Sequence, residues 1–111
     1  MVMQRGFQAP TDLVDAVAYQ EGAIVSQAIV KAGGGTVTLF AFDAGEGLSE
    51  HTAPYDALVL ALDGSATVSV AGASHRLNDG QIVLLPANIP HAVATDQRFK
   101  MLLIMMRQGG E

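Results

Sequence analysis

Twelve glycines and four prolines divide the 111 residues into short apolar runs, and this punctuation leaves few places for a helix. It suits strands of roughly four to eight residues joined by turns. Gly33-Gly34-Gly35 marks a turn, and Thr36 to Phe42 behind it is rich in strand formers, among them Val37, Thr38, Leu39 and Phe40. Ala57 to Leu62 is unbroken apolar sequence closed by Asp63-Gly64, after which Thr67-Val68-Ser69-Val70 alternates polar and apolar. The two segments are expected to form a hairpin with one wet face. Ala71-Gly72-Ala73 before Ser74 to Leu77 signals a second hairpin, and Asn78-Asp79-Gly80 then turns into a buried run, Gln81 to Leu85, that Pro86 ends. Phe99 to Met106 is apolar on both faces apart from Lys100, as a central strand covered from two sides would be, and is expected to be the last strand. Thr11 to Tyr19 carries some helical spacing after Pro10, and is read as a loop with a short strand. About nine strands without a helix-length connection make an all-β sandwich or barrel.

Half of the residues are hydrophobic, 15% are charged and the mean hydropathy is +0.31, so the chain is expected to pack into one globular domain rather than stay disordered. The net charge of −5, with six scattered Lys and Arg, argues against nucleic acid and anionic lipid as partners. Without cysteine there is no disulfide and no thiolate ligand, so any metal must use histidine, carboxylate or water. The N-terminal residues show no apolar core of a signal peptide and no stretch is long enough to span a membrane, from which a cytoplasmic location is expected. The glycine triplet is not a phosphate loop, since no Lys-Ser/Thr pair follows it.

The chemistry-bearing part begins at Gly45 and reads Gly-Glu-Gly-Leu-Ser-Glu-His-Thr-Ala-Pro-Tyr-Asp-Ala to position 57, then reaches Gly64. It resembles the first motif of the cupin superfamily, G-x5-H-x-H-x3-E-x6-G. Both glycines and His51 match, whereas Ala53 stands at the second histidine and Ala57 at the glutamate. The second motif, G-x5-P-x-G-x2-H-x3-N, falls on Gly80, Pro86, Asn88, His91 and Thr95, of which Gly80, Pro86 and His91 match. Asn88 in place of glycine is a mild departure, because asparagine tolerates a positive φ.

The resemblance covers roughly Thr36 to Met106 and implies a double-stranded β-helix, or jelly-roll barrel, with positions 51, 53, 57 and 91 converging at one end. Residues two apart on a strand share a face, which puts 51 and 53 on one side. Cupins typically hold iron, manganese, nickel, zinc or copper there; here only His51 and His91 remain of the ligand set, and a two-histidine site should hold metal weakly. Glu46, Glu50, Asp56 and Gln27 are candidates to complete it, Glu50 a poor one because residues 50 and 51 point to opposite faces of a regular strand. Ala53 and Ala57 leave room instead for a small, partly apolar molecule, with Met101 and Met105 on one face of the last strand as further lining.

The leading functional reading is therefore a small-molecule binder without tightly bound cofactor, whose pocket is His51, Ala53, Tyr55, Ala57, His91 and Met101. One alternative is a dioxygenase or isomerase with a divalent zinc, nickel, iron or manganese at His51 and His91. Another is a metal-free enzyme with histidine and Tyr55 as acid and base. His75 lies outside both motifs and is read as a solvated strand residue. The expected organisation is an N-terminal segment over 1–35, a barrel over 36–107 and a tail over 108–111. A homodimer is expected, with apolar Leu13 to Val30 as the contact.

Overall fold

The computed structural model describes residues 2–3 and 5–107, and the tail expected over 108–111 lies outside them. Ten strands form among these residues: β1 (Val2–Met3), β2 (Ile24–Ala32), β3 (Gly35–Phe42), β4 (Gly47–His51), β5 (Tyr55–Asp63), β6 (Ala66–Val70), β7 (Ala73–Leu77), β8 (Ile82–Leu85), β9 (His91–Ala94) and β10 (Phe99–Arg107). They build two antiparallel sheets, one of six strands in the order β1-β2-β3-β10-β5-β8 and one of four in the order β4-β9-β6-β7. The result is a jelly roll. Only two short 3-10 turns, Arg5–Gln8 and Leu13–Asp15, interrupt the strands, and among the described residues no helix is long and apolar enough to cross a membrane.

Alternation along each strand sends one set of side chains between the sheets. Phe42, Val59, Met101 and Phe99 from the larger sheet meet Ala66, Val68, Leu77 and Val93 from the smaller one in a single buried cluster. The opposite face of the larger sheet carries a second cluster of Leu39, Ala41 and Leu102, which the N-terminal residues Phe7, Leu13, Ala16, Val17 and Tyr19 cover.

β10 lies between β3 and β5, as its two apolar faces require, and the hairpin β6–β7 pairs Ser69 with Ser74 as the turn residues demand. Three expectations give way. The segments flanking Asp63-Gly64 do not form a hairpin, because β5 belongs to the six-stranded sheet and β6 to the other. Gly64 makes a corner there with φ of 78°, and a Cβ at this position would collide with the Arg98 carbonyl oxygen. β8 is not buried: it is the last strand of its sheet, and Ile82 and Leu84 face solvent at 56% and 51% exposure. Thr11 to Tyr19 forms a loop and a 3-10 turn with no strand, since its apolar residues dock on a sheet face instead of pairing at an edge.

Candidate functional site

His51 ends β4 and His91 opens β9, and the two are direct cross-strand neighbours. Leu48 pairs with Val93 and His51 with His91, so three steps along β4 answer two along β9. This extra residue is a β-bulge, and its consequence is chemical. In a regular strand Glu50 would follow Leu48 on the interior face; the bulge hands that place to His51. The two cupin-like segments are tied together next to the histidines. Asn88 adopts φ of 64°, the positive value for which asparagine was an acceptable substitute for glycine, and its backbone N–H donates to the Ala53 carbonyl oxygen at 2.8 Å. The Ala87 N–H donates to Asp56 Oδ1, also at 2.8 Å. Thr95, where the resemblance has asparagine, is buried and donates its hydroxyl to the Glu46 carbonyl oxygen, stapling the turn before β4.

The histidine rings meet edge to face with centroids 4.4 Å apart. Nδ1 of His51 lies 2.8 Å from the Ser49 carbonyl oxygen, Nδ1 of His91 lies 3.2 Å from that of Ile89, and the two Nε2 atoms are 3.2 Å apart. Carbonyls only accept, so each Nδ1 needs a hydrogen, and the facing Nε2 atoms need one between them. Three contacts therefore call for three ring protons, whereas two neutral imidazoles carry two. Burial, and then the nearness of His51, hold the His91 pKa below its usual 6.5. At neutral pH His91 is thus uncharged, and with its Nδ1 hydrogen directed at the Ile89 carbonyl its Nε2 is an acceptor.

His51, at the rim, and His91, only 7% exposed, line one cavity of about 60 Å³. Ala53, Ala57 and Met101 line it as well, so five of the six residues expected in the pocket come together. Leu48, Val59, Leu85, Val93, Leu103 and Met105 complete the wall and make it apolar apart from the histidines. Tyr55 is the exception: it lines a neighbouring cavity of about 70 Å³ with Gly35, Thr36, Met105 and Arg107. Sequence reasoning passed over Thr36 and Arg107, whose only signal was their interior parity on β3 and β10 and which needed the register Thr36↔Met105 and Tyr55↔Arg107 to be placed.

None of the acidic candidates joins the histidines. Glu46, Glu50 and Asp56 do not line the cavity, and Gln27 pairs with Leu39 on a strand whose Leu39 side chain faces the outer cluster. Two imidazole nitrogens 3.2 Å apart are within reach of one ion at metal–nitrogen distances of about 2.0–2.1 Å. Among the described residues, however, no group of three or more metal-ligating side chains forms. With alanine at 53 and 57, the donor set does not fit the four-ligand centre of the superfamily.

A two-sheet jelly roll with paired histidines at the inner ends of adjacent strands defines the class of a cupin-type barrel. The sequence pattern of the family described as Cupin domain matches residues 38–105, more than half of the chain, and the protein belongs to that family. Among solved structures it is similar to a conserved protein of unknown function from Streptococcus pyogenes, with 29% identity, a TM-score of 0.87 and coverage of 92% of this chain and 90% of the other. A cupin superfamily protein from Desulfitobacterium hafniense is 30% identical with a TM-score of 0.86, over 91% and 93% of the two chains. A cupin 2 conserved barrel domain protein from Leptotrichia buccalis is 44% identical with a TM-score of 0.84; the match covers 87% of this chain and 47% of that one. No curated protein matches the sequence.

Proposed function

We propose that the protein binds a small, partly apolar molecule in the barrel interior, with His51 and His91 as its polar anchor. The observation that carries this reading is the lining of the histidine cavity, which is aliphatic or thioether everywhere except at the two imidazoles. Apolar walls with a few convergent polar groups are the general build of a small-molecule site. The anchor accepts a hydrogen bond from the ligand, because satisfying both Nδ1 contacts leaves lone pairs on the facing Nε2 atoms. The cavity admits only about five water-sized groups, at roughly 10–15 Å³ each, so the part of the ligand held there is small.

The test combines binding with cavity filling. Methyl NMR of the methionines, read at Met101 against a set of small organic molecules, should show binding in the wild type. Ala57→Val, which narrows the cavity from a buried position, should abolish the response while the fold is retained. Binding that survives Ala57→Val unchanged would place the ligand elsewhere.

A second reading rests on the 3.2 Å Nε2–Nε2 separation, which lets both histidines hold one divalent ion with solvent or ligand completing its shell. Such an ion would supply Lewis-acid chemistry at the cavity mouth. Elemental analysis of untagged protein separates the readings: near-stoichiometric metal that disappears in both His51→Ala and His91→Ala would replace the metal-free reading.

A further inference from the structure

Two cavities lie end to end along the interior face of the larger sheet. On β5 the inward positions run from Tyr55 to Ala57, and on the facing β10 from Arg107 to Met105; the first of each pair lines one cavity and the second the other, except that Met105 lines both. Steps of two residues along a strand are about 7 Å, so the far cavity begins one such step beyond the histidine cavity. The partition at Met105 is an unbranched, adaptable side chain.

The far cavity differs from the histidine cavity in its chemistry. Arg107 sits there with its guanidinium carbon 5.5 Å from the centre of the Tyr55 ring, and among the described residues it forms no salt bridge. Thr36, another lining residue, carries the only side-chain oxygen among the described residues that is buried without a hydrogen-bond partner. Buried hydroxyls are nearly always paired, and leaving one unpaired is destabilising. The exposed guanidinium of Arg107, the Tyr55 side chain and the unpaired Thr36 hydroxyl stand around one small cavity, with the permanent cation on its solvent side. In a chain of net charge −5, that is a local inversion of sign.

We propose that this cavity is an anion subsite, and that the ligand is a small monocarboxylic acid whose carboxylate meets Arg107 and Thr36 while its apolar body passes Met105 toward the histidines. The proposal rests on the reading of the histidine cavity as a ligand pocket and adds the ligand's charge, class and direction. Arg107 supplies the charge-assisted hydrogen bonds that hold a carboxylate. Thr36 donates its hydroxyl to one carboxylate oxygen. At roughly 10–15 Å³ per group, the two cavities together admit about ten non-hydrogen atoms, the scale of a short fatty or arylaliphatic acid.

Hexanoate and 1-hexanol are the probes, because they share an apolar body and differ in the charged head. Binding is followed in the full chain by methionine methyl NMR, with Met105 reporting the partition and Met101 the histidine cavity. Hexanoate is expected to bind about tenfold or more tightly than 1-hexanol, and Arg107→Gln to remove that preference without weakening 1-hexanol. Thr36→Val gives a paired signature: it weakens hexanoate and raises the melting temperature of the free protein, since it removes an unpaired buried hydroxyl. A purely structural role would not couple those two changes in opposite directions. Equal binding of the two probes, or hexanoate affinity untouched by both substitutions, overturns the anion subsite while Met101 shifts keep the histidine pocket standing. If neither probe moves Met101 or Met105, both readings fail.

Discussion

His91 joins the site to the stability of the barrel. Its pKa lies below the usual 6.5, mainly because burial disfavours the imidazolium, so in the interval beneath 6.5 the unfolded chain binds a proton that the folded ring refuses. Stability therefore rises with pH across that interval; it is fully present above about 6.5 and is lost as the pH falls toward the folded pKa. Urea midpoints of chelator-treated protein should be higher at pH 7.5 than at pH 5.5, and His91→Gln should flatten that part of the profile. A wild-type midpoint constant across the interval would show that His91 titrates alike in both states. Thr95 makes a second prediction at this scale. Its buried hydroxyl bonds the Glu46 carbonyl oxygen, so Thr95→Val should lower stability by about 1 kcal/mol in chemical denaturation with the strands intact. A neutral effect would mean that the turn before β4 holds without the staple.

Among the elements, β10 does most to organise the molecule, and its one buried charged residue explains how the N-terminal loop is held. Lys100 is 8% exposed, donates Nζ to the Val14 carbonyl oxygen and lies 4.8 Å from the centre of the Tyr19 ring. Arg98 approaches the same ring at 5.1 Å, and the Tyr19 hydroxyl donates to Asp63 Oδ2 at 2.6 Å; burial, and after it this bond, push the Tyr19 pKa far up. Lys100→Met keeps the aliphatic stem but loses the hydrogen bond and the cation–π contact, a loss of about 1–2 kcal/mol. Hydrogen exchange should speed up over residues 13–19 and leave β3 protected; uniform acceleration would show that the loop is part of the global fold. The strand positions, the β6–β7 turn and the centrality of β10 were legible because hydrophobic period and turn residues are local properties. Which sheet receives β6 after Asp63-Gly64 was not, since a turn signal locates a change of direction without naming the next partner. The site divides the same way. His51 and His91 stood out by motif spacing, but the bulge that turns His51 inward depends on β4–β9 register, and the Thr36–Arg107 cavity on the pairing of β10 with two strands distant in sequence.

For the whole molecule, the pressing question is what covers the outer face of the larger sheet. Leu13 to Val30 was the expected dimer contact, yet Leu13, Val17, Tyr19, Val25 and Ile29 from that segment pack into the outer cluster of their own chain. Farther along the same face Ile82 and Leu84 stay exposed on β8, the last strand of the sheet, with Leu84 opposite the half-buried Leu58. Copies that each carry −5 repel one another, so self-association favours a surface without charge, and these side chains carry none. A free antiparallel edge flanked by exposed aliphatics also suits a two-fold contact, in which the same strip serves both partners. A homodimer closed through β8 is the expected state in sedimentation equilibrium at micromolar concentration. The double variant Ile82→Lys and Leu84→Lys should sediment as a monomer with an unchanged circular dichroism spectrum, because both side chains already face solvent in the single chain. Deleting residues 1–19 would instead uncover Leu39 and Leu102 and should aggregate. A dimer that survives the β8 substitutions but is lost on truncation to a soluble monomer would return the contact to the N-terminal segment.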